Sequence, residues 1–183
     1  MRSEGSREFT SARVRAIRPL RAMAIAGLAF AALVIFAAPA SAQWRVGPFL
    51  GGEHESSWDE FLVIGADARK PLDSRDMEIN PRFSYFIRDL ATRFQLDFNV
   101  IKRLDVASTG PIEPYVGTGI AFSRISYDLD AFDNESALGF NYIVGATLKT
   151  SSRWQFFGQF VYTVLHDSPN NAVVSAGVHF KFQ

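Results

Sequence analysis

Phe94-Gln95-Leu96-Asp97-Phe98-Asn99-Val100 sets four apolar side chains against three polar ones in strict alternation. Successive side chains of an extended strand point to opposite faces, so this stretch is a strand with one greasy face and one wet face. The same period runs upstream through Met77-Glu78-Ile79-Asn80-Pro81-Arg82-Phe83-Ser84-Tyr85. Downstream, Leu138, Phe140, Tyr142, Val144, Ala146 and Leu148 share a face, as do Trp154, Phe156, Phe160, Tyr162 and Val164 opposite Gln155, Gln159 and Thr163. Turn-forming residues divide the remainder, and strands are expected near 44–54, 59–69, 77–88, 91–102, 113–127, 137–149, 153–166 and 172–182. Each is long enough for the roughly 9–11 residues a tilted strand needs to cross a bilayer. The expectation is an all-β fold, an eight-stranded antiparallel up-and-down transmembrane β-barrel.

The N-terminus reads differently. Arg2, Arg7, Arg13, Arg15, Arg18 and Arg21 precede an uncharged apolar run, Ala24–Ala38, which ends on Pro39-Ala40-Ser41-Ala42. A basic head, a short apolar stretch and a small-x-small site make a cleavable secretory signal peptide over 1–42, with the barrel domain over 43–183. Those 141 remaining residues hold thirteen basic and seventeen acidic side chains, a net charge of −4. A mildly acidic exported domain is a poor ligand for nucleic acid. The chain has no cysteine, which excludes disulfides and thiolate metal sites. No cofactor and no metal site is expected.

A soluble periplasmic lipocalin-like barrel that binds an apolar ligand would also alternate, but with its apolar face inside. Gly117, Gly119, Ala121 and Ser123 fall on the more polar face of their segment, opposite Val116, Ile120 and Phe122. Eight strands leave little internal room, so glycine, serine and paired charges suit the interior and the apolar face suits lipid. Arg82, Arg93 and Asp97 fall on that interior face of adjacent strands and predict a salt-bridged plug, with Arg124 and Lys149 as further interior or rim charges. Trp44, Trp58, Tyr85, Tyr115, Tyr127 and Trp154 lie near segment ends, where rings at the headgroup level are expected. Even strand number puts both ends of the barrel sequence on the periplasmic side, and the connections near 55–58, 89–90, 128–136 and 167–171 outside.

The last residues, Ser175-Ala176-Gly177-Val178-His179-Phe180-Lys181-Phe182-Gln183, resemble the C-terminal assembly signal of bacterial outer-membrane barrels. Ser175, Gly177, Phe180 and Phe182 occupy its fixed positions, while Gln183 departs from the terminal aromatic of many members. Glu113-Pro114-Tyr115-Val116-Gly117-Thr118-Gly119 resembles the start of a mid-barrel strand in the same group. Together these are similar to the small outer-membrane β-barrels of the opacity-protein and OmpA-like transmembrane type. The resemblance implies a bacterial outer-membrane location, outer-membrane lipid and lipopolysaccharide as surroundings, and the barrel assembly machinery as a partner. A monomer is expected.

One motif carries candidate chemistry. His166-Asp167-Ser168 resembles the His-x-Ser of lipid A 3-O-deacylases, which implies His166 as base and Ser168 as nucleophile of an outer-membrane esterase. Pro169 replaces the family's asparagine, and no carboxylate follows Asp167 to orient the histidine. Asp-Ser-Pro-Asn-Asn is also strong turn chemistry. Asp128, Asp130, Asp133 and Glu135, with Glu53, Glu55, Asp59 and Glu60, read as solvated acidic rims. His179 reads as a member of the interior network. The expected role is therefore non-enzymatic: a structural or surface-interaction barrel, not a wide diffusion pore.

Overall fold

A computed structural model describes residues 44–55, 60–73, 76–87, 91–106, 110–127, 134–150 and 153–181. The expected signal peptide, Trp58, Asp59, Asp128, Asp130, Asp133, Phe182 and Gln183 lie outside them, as do the side chains of Glu55, Glu60 and Tyr127. The strands are β1 (Arg45–Glu55), β2 (Glu60–Pro71), β3 (Met77–Ile87), β4 (Ala91–Arg103), β5 (Ile112–Tyr127), β6 (Glu135–Leu148), β7 (Trp154–Leu165) and β8 (Asn171–Lys181). Each pairs antiparallel with the next, and β8 closes on β1. This is the eight-stranded barrel expected from the alternation.

Closure fixes geometry. A circuit of neighbours leaving β1 at Arg45 passes Arg69, Asn80, Asn99, Gly119, Asn141, Thr163 and Asn171, and returns to β1 at Glu55, ten residues further on. That stagger on eight strands corresponds to a tilt of about 40° and a bore that side chains can fill.

Side chains sort by parity. Along β7 exposed and buried residues alternate without exception, and β3 is nearly as regular. Phe98 is 59% exposed while its neighbour Asp97 is 2% exposed. Leu138, Phe140, Tyr142, Phe156 and Val174 stand on the outside, and Asn141, Gln155, Gln159, Thr163 and His179 are buried inside. The polarity of an ordinary soluble barrel is thus inverted. Burial of the polar face follows from the narrow bore, because eight tilted strands leave their inner side chains nowhere to go but into each other.

Candidate functional site in the lumen

The interior is the most highly organised part of the molecule. Its proximal end carries Arg45 and Lys181, and its distal end lies opposite.

At the proximal mouth Glu78 is the hub. It forms a close ion pair with Arg45 and lies 3.3 Å from Arg103 Nε. Arg45 Nη1 also donates to Gln155 Oε1 at 2.9 Å. Glu113 accepts Lys149 Nζ at 2.9 Å and lies 4.0 Å from Arg103 Nη1.

One level up, Asp67 Oδ1 meets Arg69 Nε at 3.2 Å and His179 Nε2 at 2.7 Å. Arg69 Nη2 donates to the Tyr115 hydroxyl at 2.7 Å, and that hydroxyl donates to Gln159 Oε1 at 3.0 Å. The His179 ring stacks on Phe157 at 4.3 Å.

A chain of hydrogen bonds then crosses the lumen. Arg93 Nη1 donates to Glu53 Oε1 at 2.8 Å and its Nη2 to Gln95 Oε1 at 3.1 Å. Gln95 Nε2 donates to Asp97 Oδ1 at 2.8 Å, which also accepts Asn141 Nδ2 at 3.0 Å. Asn141 continues to Asn99, Asn99 to Asn80, and Asn80 to the Ala68 carbonyl. Amide side chains suit this work because each can donate and accept at once.

Rings and glycines frame the arginines. Arg82 lies 3.9 Å from the centroid of Phe49, Arg93 4.5 Å from Phe86, and Arg69 4.4 Å from Tyr115. A guanidinium over a ring face is attracted by its quadrupole, more so when desolvated. Phe49, Tyr115 and Phe157 each lie flat on a glycine of a neighbouring strand. A Cβ added at Gly65, Gly145 or Gly177 would come within 2.5–2.6 Å of the ring tip. Glycine here provides a hollow in the wall, not a special backbone angle.

Arg82, Arg93 and Asp97 are all buried in the lumen, but their partners differ from a plug in which they pair with one another. Arg93 takes Glu53, Asp97 takes two amides, and Arg82 Nη2 donates to Ser175 Oγ at 3.2 Å. Three other expectations need correction. Tyr115 does not stand at the headgroup level; it is 1% exposed in the lumen, on the same parity as Gly117 and Ser123. Glu53 is no solvated rim acid but the buried partner of Arg93. Arg124 shares the outward parity of Phe122 and stands exposed, whereas Lys149 does pair at the rim. The interior also holds Phe49, Val63, Phe86, Phe157 and Val173 as an apolar cluster, and Ile101, Tyr115, Ile143 and Val161 as another. Glycines and ion pairs alone do not fill it.

The pairing of His166 with Ser168 that the deacylase resemblance implies is not made. Asp167 adopts φ 57°, which turns the chain out of the extended form that would align the two side chains. The His166 ring is exposed and lies 3.1 Å from Asp167 Oδ2. Ser168 instead lines a cleft of about 240 Å³ with Ser123, Ile125, Glu135, Ser136, Ala137 and Asp167. A serine nucleophile needs a base within hydrogen-bond reach, and this one has none among the described residues.

Of the assembly-signal positions, Ser175, Gly177 and Phe180 lie on β8, against β1 and β7. Phe180 packs edge-on to Trp154 at 5.1 Å on the outer surface. Trp44 lies 5.9 Å from Lys70 Nζ at the same end. Asp67, Arg69, Glu78 and Tyr115 were not singled out as network members from the sequence, although period-two parity along β2, β3 and β5 places each on the inner face.

No protein-family model and no curated protein sequence matches the chain. Solved structures do. Neisserial surface protein A is 14% identical with a TM-score of 0.60, covering 77% of this chain and 97% of its own. The N-terminal β-barrel domain of Pseudomonas aeruginosa OprF is 16% identical with a TM-score of 0.60, covering 78% and 100%. The attachment invasion locus protein Ail of Yersinia pestis is 11% identical with a TM-score of 0.53, covering 77% and 97%. The fold of this chain is that of these small eight-stranded β-barrels.

Proposed function

We propose that the chain crosses the bacterial outer membrane as an occluded barrel with a structural or surface-interaction role, neither an enzyme nor a wide diffusion pore. The observation that carries this reading is the interlocked lumen: buried polar side chains meet across the bore from Glu78 at the proximal end to Glu53 at the distal end. The apolar outer surface supports a lipid environment, since Leu138, Phe140 and Val174 are each more than 60% exposed. Residues 1–42 act as the export signal, the proximal end faces the periplasm, and β8 with Ser175, Gly177, Phe180 and Phe182 docks on the assembly machinery. Lipid and lipopolysaccharide surround the barrel, which works as a monomer. The likeness to an attachment protein of Yersinia pestis is a likeness of fold, and it fits a surface-interaction role carried by the distal connections.

The test is conductance. Purified full-length protein, folded into a planar bilayer, is expected to give no steady conductance of a size that passes sugars. Sustained openings of that size would overturn the occluded reading. Recovery of the untagged protein in the soluble periplasm without detergent would overturn the membrane reading instead.

A further inference from the structure

Arg82 occupies an unusual position in the network. It faces Asp67 across the β2–β3 ladder and Asp97 across the β3–β4 ladder, all three on the inner face. Side chains directly opposite in an antiparallel pair have Cβ atoms about 4.5–5.5 Å apart. Yet neither carboxylate lies within ion-pair distance of Arg82. Its guanidinium is drawn over the Phe49 ring, and Nη2 donates to Ser175.

The unmet groups are complementary. Arg82 Nε and Nη1 are buried donors without a protein partner, and Asp67 Oδ2 is a buried acceptor without one. Gln159 Nε2 is a third such donor, on the strand next to Ser175, its register partner. Arg82 is 2% exposed and Asp67 0% exposed, so bulk solvent cannot satisfy them. A buried charge needs hydrogen bonds or a counter-charge in contact.

We infer that the Arg82–Asp67 step of the lumen is an internal water site, in which a bound water accepts from Arg82 and donates to Asp67 Oδ2. Water fits because the site needs one species that both accepts and donates. A buried water typically makes about three hydrogen bonds to such otherwise unmet groups, and Arg82 Nε, Arg82 Nη1 and Asp67 Oδ2 are three of them. An anion would suit the two donors but would be repelled by Asp67; a cation would suit Asp67 but not Arg82. The water thereby links the Ser175–Arg82 arm to the Asp67–Arg69–Tyr115 cluster, which the protein's own bonds leave separate. The inference rests on the lumen alone and holds whatever surface role the barrel has.

The test is a crystal structure of the full chain in a lipidic phase, at a resolution that orders internal water, from crystals grown with and without bromide. The expected result is one oxygen peak within hydrogen-bond distance of Asp67 Oδ2 and of Arg82 Nε or Nη1, with no anomalous bromide signal there. A direct Arg82–Asp67 ion pair overturns the inference, and so does bromide on the guanidinium. In solution, isotope-labelled protein in nanodiscs is expected to show an Overhauser cross-peak between the Arg82 side-chain N–H and water. Its absence in the unmodified protein overturns the inference, and the cross-peak is expected to be lost in Asp67→Leu.

Discussion

At the scale of single residues, the lumen is decided by who lies on a glycine. Gly145 and Gly158 sit on neighbouring strands but face opposite ways. A Cβ at Gly145 meets the Tyr115 ring at 2.5 Å and the Gly158 carbonyl oxygen at 2.6 Å, whereas at Gly158 the nearest atom is 4.0 Å away. Gly145→Ala is therefore expected to cost about 1–3 kcal/mol by overpacking. Gly158→Ala should change stability by no more than about 0.5 kcal/mol. Urea unfolding in detergent or lipid vesicles checks the pair, and equal effects would contradict the ring-on-glycine account. Tyr115→Phe keeps the ring but removes the hydroxyl between Arg69 and Gln159. Leaving those buried groups short of a partner should cost about 1–3 kcal/mol in the same assay. At the distal turn the expectation is opposite: Ser168→Ala should leave the lipid A acyl pattern of expressing cells unchanged in mass spectra. Cells that lose an acyl chain only with Ser168 present would restore the esterase.

Strands obey a simpler rule, and one substitution tests it. Phe98 lies midway along β4 on the outer face. If that face meets hydrocarbon, Phe98→Arg should destabilise the barrel by about 2–4 kcal/mol in bilayers. A negligible effect would place the face in water. Element existence and position were legible because alternation leaves little freedom: a one-residue slip would turn every greasy side chain inward. The expected strand near 91–102 runs Ala91–Arg103, and that near 172–182 runs Asn171–Lys181. Position along a strand is a weaker guide to environment than parity. Tyr115 near a strand end looked like an interfacial ring, and Glu53 near a loop looked like a rim acid. Both share the inner parity of their strands, with Gly117 and Gly51 respectively. Partner choice was less legible, since Arg93 could be matched to Glu53 rather than Asp97 only once the curvature of the wall brought β1 across from β4. His166 and Ser168 are kept from lying on one face by a local feature, the left-handed Asp167 between them.

For the whole molecule, closure leaves no strand edge among the described elements, which accounts for how eight strands stand without disulfides. The folded barrel should resist dodecyl sulfate at room temperature and migrate differently from the boiled chain. Identical migration would mean that the closed form is not the stable one. The ten-residue climb of the closure circuit has a further effect. Its polar positions wind around the wall as a screw thread instead of stacking as level rings. A thread of that kind sets Arg69, Asn80, Asn99, Asn141, Thr163 and Asn171 at successive heights around the bore. If the bore is closed as proposed, the barrier is mechanical and the buried arginines Arg69, Arg82 and Arg93 are part of it. Shortening Arg69, Arg82 and Arg93 together to alanine would then leave a wettable spiral track, and a barrel that begins to leak small ions without losing a single strand.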